Sequence, residues 1–199
     1  MSTITWPSDL QDPQTVSWGI KPNTQVMVSP GNGSIQTLEL PGARWQVDFS
    51  YAPSTEAQAA IMQAWIMTFR GQANRVALYN AARHVPRGTA GGTPLVNGAG
   101  QTGASIVTDG WTPGATFLRG DFFSFNSELK MATADCAADG SGNMTIPFEP
   151  PMRSSPADNA AITTTKPTAL FIPKEPEVRW TTRPGKFTTF ELSFVEAFA

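Results

Sequence analysis

The chain has 199 residues, enough for one large or two small domains with real cores, and its charged fraction of 15% and net charge of −2 give no basic clustering of the kind that nucleic acid or an anionic membrane surface requires. A single cysteine, Cys136, excludes an intrachain disulfide framework and a multi-cysteine zinc site. No apolar run approaches the 18 residues of a membrane span, and the Met-Ser-Thr-Ile-Thr-Trp-Pro start has neither a charged nor an apolar leader segment, so the expectation is synthesis in a cytoplasm without membrane insertion.

Seventeen Gly and 17 Pro predict many turns between short strands. Residues up to Pro13 read as an extended arm. Short strands are expected over 15–20, 25–28 and 34–40, separated by turns at Pro22-Asn23 and Pro30-Gly31-Asn32-Gly33. The stretch 44–51 alternates strictly: Trp45, Val47, Phe49 and Tyr51 on one face, Arg44, Gln46, Asp48 and Ser50 on the other.

The spacing then becomes helical. Residues 54–70 form the one convincing helix, with capping-box spacing in Thr55-Glu56-Ala57-Gln58 and Gly71 placed to end it. Glu56, Gln63 and Arg70 make one narrow polar stripe, and apolar residues cover most of the remaining circumference. One side is expected on the sheet and the other on a second layer or a neighbouring protomer. Trp65 marks the expected core side; Met62, Ile66 and Phe69 are the candidate interface edge.

A strand over 74–79 follows. Residues 86–104 are rich in Gly, Thr, Ala and Pro and show no periodicity, and short β segments are expected at 105–108, 115–119, 122–125, 128–134, 144–148 and 169–172. Clean alternation returns in 187–198, where Phe190, Leu192, Phe194 and Glu196 share a face. A terminal strand must join a sheet, and this one matches 44–51 better than the middle block. The expected organisation is discontinuous: residues 1–84 with 175–199 as one β-domain, and 85–174 inserted as a second.

The motifs suggestive of chemistry are weak. Gly98-Ala99-Gly100-Gln101-Thr102-Gly103 spells a dinucleotide fingerprint, but a β-like stretch follows it where a helix N-terminus is needed. Arg119-Gly120-Asp121 reads as a turn before 122–125 rather than an adhesion tripeptide. Asp135 and Asp139 lack the spacing of a calcium loop. His84 is the only histidine, no nucleophile elbow surrounds a serine, and Asp135 beside Cys136 raises rather than lowers a thiol pKa. No catalytic residue, cofactor or metal is assigned. Trp111 falls on an expected loop, where an exposed ring could stack on a sugar or dock a partner.

Several phrases carry a resemblance: Ser29-Pro30-x-x-Gly33-Ser34-x-Gln36-Thr37, Pro41-Gly42-Ala43-Arg44-Trp45, Arg70-Gly71-Gln72-Ala73-Asn74-Arg75, Val96-Asn97-Gly98-Ala99-Gly100-Gln101-Thr102-Gly103, Thr108-Asp109-Gly110-Trp111, and Pro150-Pro151-Met152-Arg153-Ser154-Ser155-Pro156-Ala157-Asp158. With the single helix, they resemble distal tail proteins of long-tailed, siphovirus-like bacteriophages. The resemblance implies a mainly β fold: a split β-barrel or sandwich with one helix, plus an inserted small β-barrel of OB-like kind. It also implies a hexameric ring in the virion tail, joining the tail tube protein to the baseplate hub; the thin inventory of catalytic residues adds the expectation of no enzymatic activity, and the low charge that of no nucleic-acid sequence recognition. The competing expectation is a carbohydrate-binding module or host-surface adhesin using Trp111.

Overall fold

Alternating patterns, Gly/Pro punctuation and one helical segment translate into a mainly β chain, with 42% of residues in strands and one α-helix. The structure is a computed structural model, and residues 1–198 are described. In chain order the elements are β1 (Thr3–Ile4), β2 (Thr15–Lys21), β3 (Thr24–Val28), β4 (Ile35–Glu39), β5 (Arg44–Ser50), α1 (Glu56–Thr68), β6 (Arg75–Leu78), β7 (Gly92–Val96) and β8 (Ser105–Trp111). They continue with β9 (Thr116–Phe117), β10 (Phe122–Phe125), β11 (Glu128–Ala132), β12 (Cys136–Ala137), β13 (Met144–Glu149), β14 (Ala169–Pro173), β15 (Trp180–Arg183) and β16 (Phe187–Glu196).

Contacts divide the chain into two compact units: Met1–Gly19, Trp45–Asn80 and Thr168–Ala199 form one, and Ile20–Arg44 with Ala81–Pro167 the other. Residues 20–44 thus group with the middle block, whereas the sequence reading placed them with the N-terminal domain.

The first unit is built on a curled half-barrel sheet in the order β1-β6-β14-β16-β5-β2, with β15 also paired to β16. β16 is the spine: it pairs antiparallel with β5 from Glu191↔Ser50 to Val195↔Gln46 and with β14 from Phe171↔Glu196 to Pro173↔Phe194. Its even-numbered residues, Thr188 to Glu196, are all buried, as are Trp45, Val47 and Phe49 on β5, in keeping with the two-residue strand period. Glu196 joins this apolar set because its carboxylate has a fixed partner: Oε2 accepts the Trp45 N–H at 3.2 Å.

α1 covers the inner face. Gln58 Oε1 accepts the Thr55 N–H at 3.2 Å, the return half of a capping box, and Gly71 takes φ +70° just beyond the last turn. Trp65 stacks edge-on against Phe69 (4.9 Å) and Trp6 (4.8 Å), and Phe69 lies 5.5 Å from Phe194 of the spine. The Trp65 indole N–H donates to the Thr5 carbonyl at 3.2 Å. Each large side chain so buried contributes roughly 1.5–3 kcal/mol.

The second unit contains an antiparallel five-stranded sheet, β10-β11-β13-β8-β7, and the small pairs β9–β12 and β3–β4. Its core holds Val96, Ile106, Trp111, Phe117, Phe123 and Phe148. Ring contacts run Trp111–Phe117 (5.9 Å), Phe117–Phe123 (5.7 Å) and Phe123–Phe148 (5.6 Å). The expected hairpin turn at Asn126-Ser127 joins β10 to β11, with both residues at positive φ.

Candidate functional site

The structure corrects both sets of sequence-derived site residues. Met62, Ile66 and Phe69 are 1%, 7% and 2% exposed, on the same buried side as Trp65, so they are core of their own protomer and present no edge to a neighbour. The physical reason is the curl of the sheet, which receives a wide arc of the helix. The outward positions are the small or polar Glu56, Ala57, Gln58, Ala60 and Ala64, with Met67 and Thr68. Trp111, expected on a loop, ends strand β8 and is 4% exposed, its indole N–H donating to Thr108 Oγ1 at 2.7 Å. Gly110 and Pro113 suggested a break, but Gly110 sits inside the strand at φ +74°, where a Cβ would lie 2.5 Å from the Thr93 carbonyl oxygen. A sugar cannot reach the buried Trp111 ring.

The remaining motifs are occupied by local structure. The glycine-rich segment 98–103 joins two strands, β7 and β8, and its Gly98 N–H donates to Asp158 Oδ1 at 2.8 Å. In Arg119-Gly120-Asp121 the carboxylate is buried: it accepts N–H groups of Leu118 (3.0 Å), Arg87 (3.1 Å) and Gly88 (3.4 Å), and Arg87 Nε at 3.3 Å. Gly120 takes φ +84°, the left-handed conformation that favours glycine. Asp139 Oδ1 caps its turn, accepting from Ser141 N–H (2.8 Å) and Asn143 N–H (2.9 Å), bonds that hold its carboxyl below the usual range. Burial, and then Asp135, push the Cys136 thiol up, away from a reactive thiolate. Its Sγ donates to the Ala134 carbonyl, and His84 Nδ1 bonds the Ala81 carbonyl, so the two are not paired with each other. Among the described residues no three His, Cys, Asp or Glu side chains cluster in a metal-ligating group, and no helix is long and apolar enough to cross a membrane.

What stands open is the β3–β4 hairpin. It forms a sheet of its own, and all ten strand residues are exposed. Val26, Met27, Val28, Ile35 and Leu38 show 51–69% of their surface. Residues 22–38 contain no charged side chain; Lys21 and Glu39 bound them. The pairing runs from Thr24↔Glu39 to Val28↔Ile35. Ser29 N–H donates to the Ser34 carbonyl at 2.9 Å and Leu40 N–H to the Asn23 carbonyl at 2.8 Å. Hydrogen-bonded and non-hydrogen-bonded pairs alternate along such a ladder. Residues 25, 27, 36 and 38 therefore bond inward, while Thr24, Val26 and Val28 on one edge, and Ile35, Thr37 and Glu39 on the other, point N–H and C=O groups outward. The side chains of these six share one face of the ribbon. A hollow on the hairpin is lined by Met27, Gln36, Thr37 and Leu38, none of which titrates. The sequence predicted both strands but held no signal that they would stand exposed among the described residues.

The architecture is that of a mainly β protein whose unsatisfied feature is a surface rather than a catalytic constellation. No protein-family model and no curated protein sequence matches the chain.

Proposed function

We propose that this protein is a structural component of a bacteriophage tail: a ring at the distal end of the tail tube, joining the tube protein to the baseplate hub, with no catalytic role and no cofactor. The observation that carries the reading is the curled half-barrel sheet backed by a single helix, the arrangement that the resemblance to distal tail proteins implies for a ring-forming domain. The exposed uncharged hairpin supports it, since a building block works through surfaces that another subunit covers. With the Trp111 ring buried, the carbohydrate-binding alternative loses the aromatic it rested on.

The test is mass and shape. Six protomers of 21.4 kDa weigh 128.4 kDa by light scattering or native mass spectrometry. Negative-stain images are expected to show a ring with a central hole, formed alone or on the ends of assembled tail tubes. A unique dimer or trimer that persists at high concentration, or a protein that neither closes nor binds tube ends, overturns the proposal.

A further inference from the structure

We propose that Arg83 and Arg87, held over the Arg119-Gly120-Asp121 turn, form a binding site for a phosphate group, either the free ion or a phosphate monoester. The site lies wholly in the second unit, so it goes beyond the ring reading and does not depend on it.

The turn supplies the frame. Arg83 ends a short 3₁₀ turn, Ala81–Arg83, and Arg87 follows four residues on. Arg83 Nη1 donates to the Gly120 carbonyl at 3.0 Å, and Arg87 Nη2 donates to the neighbouring Arg119 carbonyl. Two guanidiniums are thereby tethered to adjacent carbonyls of one turn. A Cβ on Gly120 would have these guanidiniums as its nearest neighbours, Arg83 Nη1 at 2.8 Å and Arg87 Nη2 at 3.9 Å. The absent side chain leaves that space to a ligand oxygen.

Charge says what the space would take. Asp121 is 2% exposed and its two oxygens already accept four N–H groups, those of Leu118, Gly88 and Arg87 and the Arg87 Nε. It offsets Arg87. Arg119 lies 3.8 Å from Asp135, which offsets the third arginine of the turn. Arg83 forms no ion pair among the described residues, and its side chain is exposed. One positive charge is thus held beside a second guanidinium without a matching carboxylate. Like charges fixed this close repel, and an anion seated between them removes the repulsion.

Geometry selects the class of anion. A carboxylate is planar and presents two oxygens to one guanidinium. A phosphate is tetrahedral and can give separate oxygens to two guanidiniums that approach from different sides. Arginine is the side chain suited to such recognition, because its donors form a rigid fork. Arg87 remains 56% exposed, so its outer donors stay within reach of solvent and ligand. The Arg-Gly-Asp tripeptide therefore acts as a scaffold: its carbonyls and its buried carboxylate aim two arginines from a distant segment.

Isothermal titration calorimetry of the full-length protein at low salt tests the site, with inorganic phosphate, glycerol phosphate and acetate as probes. Both phosphates are expected to bind, and acetate to bind more weakly by about tenfold or more. Glycerol phosphate binding tighter than the free ion assigns the site to an ester; the reverse assigns it to the ion. Arg83→Gln is expected to weaken phosphate binding by about tenfold or more, and Arg83→Lys, which keeps the charge and loses the fork, to fall between it and wild type. Arg83 holds only the Gly120 carbonyl, so both variants are expected to melt like wild type. Arg179→Gln, which removes an exposed arginine of the other unit, is expected to leave binding unchanged. Absence of binding by either phosphate overturns the proposal, as does acetate binding as tightly as phosphate. Equal losses in Arg83→Gln and Arg179→Gln overturn it too, since binding would then follow overall charge. Should Arg83→Gln fail to fold, Arg83→Lys decides: phosphate affinity equal to wild type there overturns the site. A short DNA duplex that binds wild type while both phosphates do not would make the patch a nucleic-acid surface and overturn this assignment.

Discussion

Two hairpins of similar length meet opposite fates. In β10–β11, eight of the nine strand residues are buried, including the charged Glu128 and Lys130. In β3–β4 all ten are exposed, including five large apolar residues. Charge alone would have ordered them the other way round, since the buried hairpin carries two charged side chains and the exposed one only Glu39. The difference lies in what each hairpin is given to pair with. Lys130 Nζ meets Glu128 Oε2 at 2.7 Å and the Pro151 carbonyl at 2.9 Å, and lies over the Phe148 ring at 5.6 Å. Glu128 also accepts the Arg153 N–H at 3.2 Å and the Ser154 hydroxyl at 3.3 Å. A buried charge is tolerable when its partners are fixed in the same chain. An apolar ribbon that forms a two-stranded sheet of its own has no such partners among its own unit's strands.

The largest expected effect comes from placing the same new charges in the two environments. Met62→Glu with Ile66→Glu puts two uncompensated carboxylates into the first unit's core. Each costs about 3–5 kcal/mol, against a total stability of about 5–15 kcal/mol for an ordinary domain. We predict a protein without a cooperative transition from that unit in a thermal or urea melt. Val26→Glu with Gln36→Glu, two exposed hairpin positions on opposite faces of the ribbon, should stay within about 0.5 kcal/mol of wild-type protomer stability. A helix variant that melts like wild type would show that Met62 and Ile66 are not core.

Glu128→Ala sharpens the comparison from the buried side. It leaves Lys130 enclosed without its carboxylate and removes the acceptor for the Arg153 and Ser154 bonds. The expected loss is about 3–5 kcal/mol in the transition of the second unit, read from a urea melt. A loss below about 1 kcal/mol would mean that the triad behaves as an exposed ion pair.

Much of the fold was legible because the sequence repeats the period of the structure. Trp45, Val47 and Phe49 on β5, and Phe190, Leu192, Phe194 and Glu196 on β16, face inward as their spacing predicts. The capping pair Thr55/Gln58 and the stop at Gly71 mark the helix correctly. The candidate site was not legible, for three separate reasons. Met62, Ile66 and Phe69 read as an edge apart from the Trp65 side, yet the curled sheet receives all four, and Ala57, Ala60, Ala64 and Met67 are among the residues left outside. Gly110 reads as a chain break but marks a close approach of two strands, so Trp111 looked like a loop residue. The Glu128–Lys130 spacing reads as the wet face of a strand, and only the covering segment 151–154 makes it a buried one. Periodicity tells which residues share a face; what lies over that face is tertiary information.

The smallest effect isolates a buried polar group of the opposite kind, one with no partner. The Tyr51 hydroxyl is buried in the first unit and makes no hydrogen bond. An unsatisfied buried polar group costs about 1–3 kcal/mol, so Tyr51→Phe should stabilise by on the order of 1 kcal/mol, opposite in sign to an ordinary core truncation. For a chain of this size that corresponds to a Tm higher by about 2–4 °C. The pH dependence gives a second readout. Burial, reinforced by the nearby Asp12 carboxylate, pushes the phenol far above its ordinary value. A group with a raised folded-state pKa contributes stability that is full below its unfolded value, near pH 10, and falls as pH rises toward the folded value, because the unfolded chain ionises first. Wild type should therefore lose stability above about pH 10 faster than Tyr51→Phe, and the gap between them should widen with each step in pH. The chain has only two tyrosines, and the other, Tyr79, is 37% exposed, so this difference reports Tyr51. Parallel stability curves for the two proteins from neutral pH to pH 11 would place the hydroxyl in contact with solvent. A destabilised Tyr51→Phe would mean that the hydroxyl has a hydrogen-bond partner after all.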